Sequence, residues 1–140
     1  MLRHDRRGFT MVELMVTITV MGILFGLSVP PVLGLLRSSR LTGASNTLVG
    51  DLRYGRALAS SQASMYQIRF SANSYTLVRV SPYAVALTRA LPRGIGCTAS
   101  DTASFYAWGL TDPIVITMSS TGSSKCDTIR ILANGNVTRD

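Results

Sequence analysis

The chain begins with a short basic stretch and then becomes apolar over the length of a membrane. No charged side chain occurs in residues 14–36, a run of 23 residues. As a helix this run would be about 34 Å long, and the hydrocarbon core of a bilayer is about 30 Å thick. We therefore predict a membrane-length helix over residues 9–36, with Glu13 near its start. Pro30 and Pro31 remove backbone donors and are predicted to kink or locally melt this helix.

A second hydrophobic pattern follows, with the period of an amphipathic helix. Apolar or small side chains recur three or four positions apart, at Leu41, Ala44, Leu48, Leu52, Gly55 and Ala59. A stripe of this kind packs one face of a helix onto a sheet. Residues 37–64 are therefore predicted to continue the helix, while Arg40, Arg53 and Arg56 point away from the stripe.

From Met65 onward apolar positions alternate, which is typical of half-buried strands. The predicted strands are Tyr66–Phe70, Tyr75–Val80, Ala84–Leu91, Phe105–Trp108, Ile114–Met118, Thr128–Leu132 and Asn136–Arg139. The stretch Pro92–Ala103 is rich in Gly, Ser, Thr and Pro and is predicted to be a loop. Asn134-Gly135 predicts a type I′ turn before the last strand. A long helix followed by a β-rich head, residues 65–140, predicts an α+β fold.

The side chains that catalysis needs are scarce in this chain. The only histidine is His4, in the basic first stretch, and the only lysine is Lys125. A nucleophilic serine needs a base and an orienting group within hydrogen-bond reach, and the sequence shows no such set. It also shows no phosphate-binding glycine loop and no paired carboxylates. We predict that the protein is not an enzyme and has no catalytic residues, no cofactor and no metal site.

The junction between the basic stretch and the apolar run carries a specific motif. An arginine-rich leader, residues 1–8, meets the apolar run in the sequence Gly8-Phe9-Thr10-Met11-Val12-Glu13. This motif resembles the class III signal of type IV pilins and pseudopilins. The resemblance implies that a prepilin peptidase cuts between Gly8 and Phe9, and that Phe9 is then N-methylated.

Two plainer interpretations of the amino terminus explain less. An ordinary secretory signal has an apolar region of roughly 7–15 residues, which is shorter than this one. A plain membrane anchor would explain the length and the basic leader, but not a glutamate directly after Gly-Phe-Thr-Met-Val. A charge inside a membrane helix is costly and marks a functional contact. The resemblance implies that Glu13 pairs with the amino-terminal amine of Phe9 on an adjacent subunit. The alternative is that Glu13 extends to the headgroup interface.

Within this superfamily the chain resembles the FimT/GspH branch. The matching segments are residues 46–57, 116–122 and 129–139. The resemblance implies a pilin-like α+β fold in which a long N-terminal helix, membrane half plus amphipathic half, packs on antiparallel β-sheets. It also implies an inner-membrane protein with a cytoplasmic amino terminus and a periplasmic head. Such a protein joins other pilins or pseudopilins as a minor subunit of a type II secretion pseudopilus or a type IV pilus.

Two cysteines belong to the predicted periplasmic head. Cys97 and Cys126 are the only cysteines of the chain. In an oxidising periplasm a disulfide between them is the default expectation, although their spacing alone does not establish it. Two thiols without a nearby histidine offer too few ligands for a metal ion.

The predicted head is basic. From Arg37 onward the chain has eleven basic and five acidic side chains, which favours anionic partners but equally suits a soluble, self-repelling surface. DNA-binding FimT-like proteins resemble this chain near its carboxyl end, where they carry a Gly-Arg-x-Arg pattern. Here the sequence is Gly-Asn-Val-Thr-Arg, ending at Arg139. DNA uptake is therefore the alternative function, in which Lys125, Arg130 and Arg139 would contact DNA.

Overall fold

The structure is a computed structural model that describes residues 9–122 and 124–140, with the backbone alone for residues 28–33. Gly8, on one side of the predicted cleavage site, lies outside the described residues. The chain divides into two compact units, residues 1–36 and residues 37–140. Within the second unit, the part that follows the helix, residues 65–140, is called the head below.

A single long helix, α1 (Met11–Ser61), precedes the strands. Its first turn is capped by Thr10, whose side-chain oxygen accepts a hydrogen bond from the backbone N–H of Glu13 at 3.2 Å. The helix continues without interruption through Pro30 and Pro31, so the predicted local melting is absent, while the predicted kink stays a prediction. A proline removes one backbone donor, and the hydrogen bonds of the flanking turns can carry a helix past that loss. Among the described residues, no helix has both the length and the apolar character needed to cross a membrane.

The described part of the head contains eight strands in two antiparallel sheets. They are β1 (Tyr66–Ser71), β2 (Ser74–Arg79), β3 (Ala84–Ala90), β4 (Ile95–Ala99), β5 (Ala103–Phe105), β6 (Ile114–Ser120), β7 (Cys126–Ile131) and β8 (Val137–Arg139). The first sheet has the strand order β3-β2-β1-β5, and the second has the order β4-β6-β7-β8. A long helix followed by antiparallel sheets is the predicted α+β architecture.

The core lies between the second half of α1 and the inner faces of the sheets. All six residues of the predicted helix stripe are buried, which confirms that stripe. On β6 the residues Ile114, Ile116 and Met118 alternate into the same core. Gly55 marks the closest approach of the helix, because a Cβ there would lie 3.0 Å from Cδ1 of Leu77. Glycine at this position lets α1 lie directly on β2.

Most predicted strands are present, with two differences. The predicted loop Pro92–Ala103 contains β4, which pairs along β6 from Ile95 to Ala99. Pairing with a distant strand outweighs the weak local propensity of its glycine. The short strand β5 ends at Phe105 rather than beginning there. The residues after it form a turn in which the Gly109 N–H donates to the Tyr106 carbonyl at 2.9 Å.

The last hairpin uses a different turn from the predicted one. The Gly135 N–H donates to the Leu132 carbonyl at 2.8 Å, and the Leu132 N–H donates to the Asn136 carbonyl at 2.9 Å. Gly135 has φ +78°, while Asn134 is not in the left-handed region. This is a three-residue loop in which a type I turn is followed by a left-handed glycine, not a type I′ turn.

Candidate functional site

At the start of α1, Phe9 from the predicted cleavage site and the predicted assembly residue Glu13 both lie on the surface. Phe9 is 74% exposed, and Glu13 is exposed in the turn that Thr10 caps. The spacing from Thr10 to Glu13 is that of a capping box, in which the acidic residue supports the start of the helix. The partial positive charge of a helix amino terminus also favours a carboxylate there. Sequence reasoning missed this local role, although the Thr-x-x-Glu spacing signals it.

Large apolar side chains lie exposed along the first part of α1. Those that are more than half exposed include Met11, Leu14, Met15, Ile18, Leu24 and Phe25. A shallow groove of about 230 Å³ runs along this surface between Val12 and Val20. An extended apolar surface of this kind usually contacts lipid or another protein. A helix that is apolar on all sides is usually buried in a membrane or in a protein core.

The two cysteines lie on strands that are not neighbours, and both thiols are free. Strand β6 separates them: Cys97 pairs with Met118, and Cys126 pairs with Ser119. Two strand spacings place their Cα atoms about 10 Å apart, beyond the reach of about 7 Å for a disulfide. Met118 is buried and Ser119 is exposed, so the two thiols lie on opposite faces of the sheet. The predicted Cys97–Cys126 disulfide is therefore wrong for this fold.

The three basic residues predicted to contact DNA do not form one patch. They are Lys125, Arg130 and Arg139. Arg139 lies beside α1, where it donates to Asn46 Oδ1 at 2.6 Å and contacts Asp127 Oδ2 at 3.2 Å. Arg130 lies on the opposite face of the same sheet, 3.6 Å from Asp140 Oδ2. Since two of the three cations are paired with carboxylates on different faces, the structure does not favour the DNA-uptake alternative.

Arg139 has a structural role instead. Its partner Asp127 also accepts a hydrogen bond from the fully buried Ser45 hydroxyl at 2.6 Å. Ser45 and Asn46 belong to α1, Asp127 belongs to β7, and Arg139 belongs to β8. These contacts fasten the carboxyl-terminal hairpin to the helix.

A second polar network, which sequence reasoning missed, fastens the first sheet to α1. Asp51 on the helix is only 8% exposed. It accepts a hydrogen bond from the Tyr75 hydroxyl at 2.5 Å and two from the Arg89 guanidinium, at 2.7 and 3.2 Å. A bidentate arginine compensates the cost of burying a carboxylate. Burial and the hydrogen bond to Asp51 raise the pKa of Tyr75. The sequence signal for this network was the position of Asp51, directly beside Leu52 of the apolar stripe.

Arg56 differs from its prediction. Predicted to point away from the apolar stripe, it instead contacts the loops of the head: its Nε donates to the Gly109 carbonyl at 3.0 Å and its Nη2 to the Asn134 carbonyl at 2.9 Å. A Cβ on Gly135 would collide with the Arg56 Nε and with the Gly109 carbonyl oxygen. The arginine therefore ties two loops of the head to the helix.

These networks join α1 to both sheets of the head. Over residues 9–122 and 124–140, no group of three or more His, Cys, Asp and Glu side chains lies close enough together to hold a metal ion. The carboxylates of Asp51 and Asp127 are each engaged by an arginine and a hydroxyl.

Comparison with known proteins gives one sequence match and several fold matches. Residues 3–29 match the family described as the prokaryotic N-terminal methylation motif. No curated protein matches the chain by sequence. The minor pseudopilin EpsH from the type 2 secretion system of Vibrio cholerae has a similar fold, with a TM-score of 0.65 and 9% identity, over 72% of this chain and 96% of that chain. The type IV minor pilin FimU of Pseudomonas aeruginosa gives a TM-score of 0.63 at 15% identity, over 74% of this chain and 90% of that chain.

The chain has the motif and the fold of the type IV pilin and pseudopilin superfamily. The fold of its head is similar to the folds of EpsH and FimU, which confirms the predicted fold class. The methylation motif includes Gly8, Phe9 and Glu13, and it extends into α1 as far as residue 29. At 9% and 15% identity, the likeness of this pilin-like chain to EpsH and FimU is a likeness of fold.

Proposed function

We propose that this chain is a minor pseudopilin or minor pilin. It is a structural subunit that assembles through its N-terminal helix into a type II secretion pseudopilus or a type IV pilus. The observation that carries the proposal is the N-terminal methylation motif over residues 3–29, leading into a long helix that ends in a pilin-like head. EpsH is a minor pseudopilin and FimU is a type IV minor pilin, and both support the same role here.

The proposal assigns a place to each segment of the chain. The segments are a cytoplasmic leader (1–8), a membrane and filament-core helix (9–36), an amphipathic continuation (37–64) and a periplasmic head (65–140). Anchoring in the bacterial inner membrane rests on the sequence, because residues 14–36 carry no charge. The exposed apolar side chains of residues 11–27 support it, since such a surface needs lipid or other helices around it.

Glu13 is the proposed assembly residue. After cleavage behind Gly8, Phe9 would carry a new amino-terminal amine. A carboxylate inside an apolar filament core needs a cation, because an uncompensated buried charge costs several kcal/mol. The amine of Phe9 on an adjacent subunit supplies that cation, and the pair would set the axial register between subunits. The exposure of Glu13 at the start of α1 leaves its carboxylate accessible to such a partner.

The partners in this proposal are the prepilin peptidase, which acts on the chain, and other pilins or pseudopilins of the same filament. The protein itself catalyses nothing and needs no cofactor. Its two polar networks, around Asp51 and Asp127, give the head a fixed shape for assembly.

Mass spectrometry of protein extracted from membranes tests the proposal. In cells with an active prepilin peptidase, we expect a mature chain that starts at Phe9 and carries one added methyl group. Gly8→Val should block this cleavage, because the peptidase recognises the residue before the cut, whereas Asp5→Ala in the same leader should be processed normally. A wild-type chain that keeps Met1 in such cells would refute the proposal.

A further inference from the structure

Strand β3 is the longest open sheet edge in the part of the chain that the structure describes. It pairs with β2 on one side, and no described strand pairs with its other side. The other edge strands have five residues (β4) or three (β5 and β8). Proteins usually shorten, charge or cover such edges, because unpaired backbone groups can pair with another chain. Five of the seven residues of β3 are exposed, and the strand contains no proline and no lysine.

The register of β3 against β2 shows which backbone N–H and C=O groups of β3 can pair with an added strand. The Leu91 N–H donates to the Asn73 carbonyl at 2.8 Å, on the side of β2. Backbone groups alternate sides along an antiparallel strand, so the N–H and C=O groups of Thr88 and Ala90 point away from β2. The register shift in the β2–β3 pairing lies before Leu87, outside this regular stretch. The outward groups of Thr88 and Ala90 can therefore pair with an added strand.

A groove lies beside this open edge. A cavity of about 230 Å³ lies where the end of β3 meets α1. Ala44 and Thr47 line it from the helix, and Arg89, Ala90 and Leu91 line it from the end of β3 and the residue that follows. A groove between an edge strand and a helix is the setting in which extended peptides add to sheets. Main-chain hydrogen bonds then provide affinity, and a pocket selects a side chain.

The charge around the groove selects the occupant. The charged residues at the end of β3 and just after it are Arg89 and Arg93, and no carboxylate occurs in the sequence from residue 84 to residue 93. Arg89 is paired with Asp51, while Arg93 is exposed just after the strand. A second copy of this chain would bring the same cation, Arg93, which is unpaired among the described residues, to the groove and be repelled. An acidic segment would be attracted.

We propose that the open edge of β3 and the adjoining cavity dock an extended acidic segment of another protein. The segment adds to the four-stranded first sheet next to β3. It pairs through main-chain hydrogen bonds with Thr88 and Ala90 and places an apolar side chain in the cavity. The inference concerns only the second unit, residues 37–140, and does not depend on the proposed filament role.

The test uses the full chain in detergent micelles and a fluorescent peptide that alternates valine and glutamate, about eight residues long, like an ordinary strand. Fluorescence anisotropy should show that wild-type protein binds this peptide. Thr88→Pro removes an outward N–H but no bond to β2, as proline does on edge strands. It should weaken binding about tenfold, the order expected for one lost hydrogen bond. The matched control Thr88→Ala keeps the N–H and should bind as wild type does.

Two further arms make the result independent of how well the proline variant folds. Arg93→Glu leaves the strand unchanged and should weaken binding of the acidic peptide by several-fold. A peptide methylated on alternate backbone nitrogens, and one in which lysine replaces glutamate, should not bind. The proposal is overturned if the wild type fails to bind the acidic peptide, or if the lysine peptide binds equally. Unchanged binding by a folded Thr88→Pro protein overturns it as well. Self-association that Thr88→Pro abolishes would identify a second copy as the occupant and also overturn it.

Discussion

The carboxylate of Asp51, on α1, makes the ion pair and the hydrogen bonds that join the helix to the first sheet. This carboxylate is engaged by Tyr75 from β2 and by Arg89 from β3. Asp51→Asn removes the charge and one acceptor, and leaves Arg89 and Tyr75 without their full partner. Because hydrogen bonds to charged groups contribute about 1.5–3 kcal/mol, and Arg89 can still reach water, we expect a loss of about 2 kcal/mol. Denaturant unfolding followed by tyrosine and tryptophan fluorescence measures it.

The matched control for this variant is Asp101→Asn, an exposed aspartate in the loop between β4 and β5. Substitutions at such surface positions usually change stability by less than about 0.5 kcal/mol. Equal effects of the two substitutions would mean that the Asp51 network does not carry the stability assigned to it.

The cysteines give a second prediction about single residues. Burial raises the pKa of the Cys97 thiol to about 11, whereas Cys126 is exposed. Since the thiolate is the reactive form, a water-soluble alkylating reagent near pH 8 should label Cys126 quickly and Cys97 slowly. Labelling of Cys97 should increase as the pH rises towards 11. In denaturant without reductant, both thiols should be labelled. Protein isolated without reductant in which neither thiol reacts after denaturation would restore the disulfide and contradict the strand order around β6.

Among whole elements, the β7–β8 hairpin depends on its turn glycine for two separate reasons. Gly135 has φ +78°, and a Cβ there would also collide with Arg56 and with the Gly109 carbonyl. Gly94 has nearly the same φ, +79°, but the nearest atom to its Cβ position is 4.0 Å away. Gly94→Ala should therefore cost only the backbone strain, about 1 kcal/mol. Gly135→Ala should cost clearly more, because Arg56 must also leave its two carbonyl partners. Thermal unfolding of both variants measures the difference, and equal losses would show that the Arg56 contacts are weak.

The elements that sequence patterns predicted best are those whose periodicity is set by a single buried face. The helix stripe from Leu41 to Ala59 and the hairpin of β1 and β2 were both predicted and are present. Strand β4 was missed because its local sequence favours a loop, and only pairing with β6, about twenty residues later, makes it a strand. The Cys97–Cys126 prediction failed for the same reason. Strand order is a long-range property, and spacing along the chain does not contain it.

The polar contacts of the head were the least predictable part of the candidate site. Arg56 and Arg139 have the sequence character of solvent-exposed cations, yet each binds groups that lie more than fifty residues away. Their partners include backbone carbonyls and an asparagine oxygen, which no composition or charge pattern identifies. The amino-terminal motif, by contrast, is local in sequence, and the chain matches the methylation family over residues 3–29.

For the whole molecule, the open question is which of two roles of Glu13 governs assembly. The structure shows a local setting, because Thr10 and Glu13 form the start of α1 with capping-box spacing. The proposed filament role instead needs the negative charge, to pair with the amine of Phe9 on an adjacent subunit. The two roles make different demands on the side chain. Glutamine can replace glutamate in a capping box, but it cannot neutralise an amine.

We expect Glu13→Gln and Glu13→Val to insert into the membrane as well as wild type, because both remove a charge from the apolar helix. Both should fail to enter filaments, since the buried amine would lose its counter-charge, a defect worth several kcal/mol. Thr10→Ala breaks the cap at a cost of about 1 kcal/mol but keeps the charge, so it should assemble. Carbonate extraction measures insertion, and recovery of the protein in sheared or overproduced filaments measures assembly. If Glu13→Gln assembles and Thr10→Ala does not, Glu13 acts only at the helix start, and the register between subunits must be set by other contacts along α1.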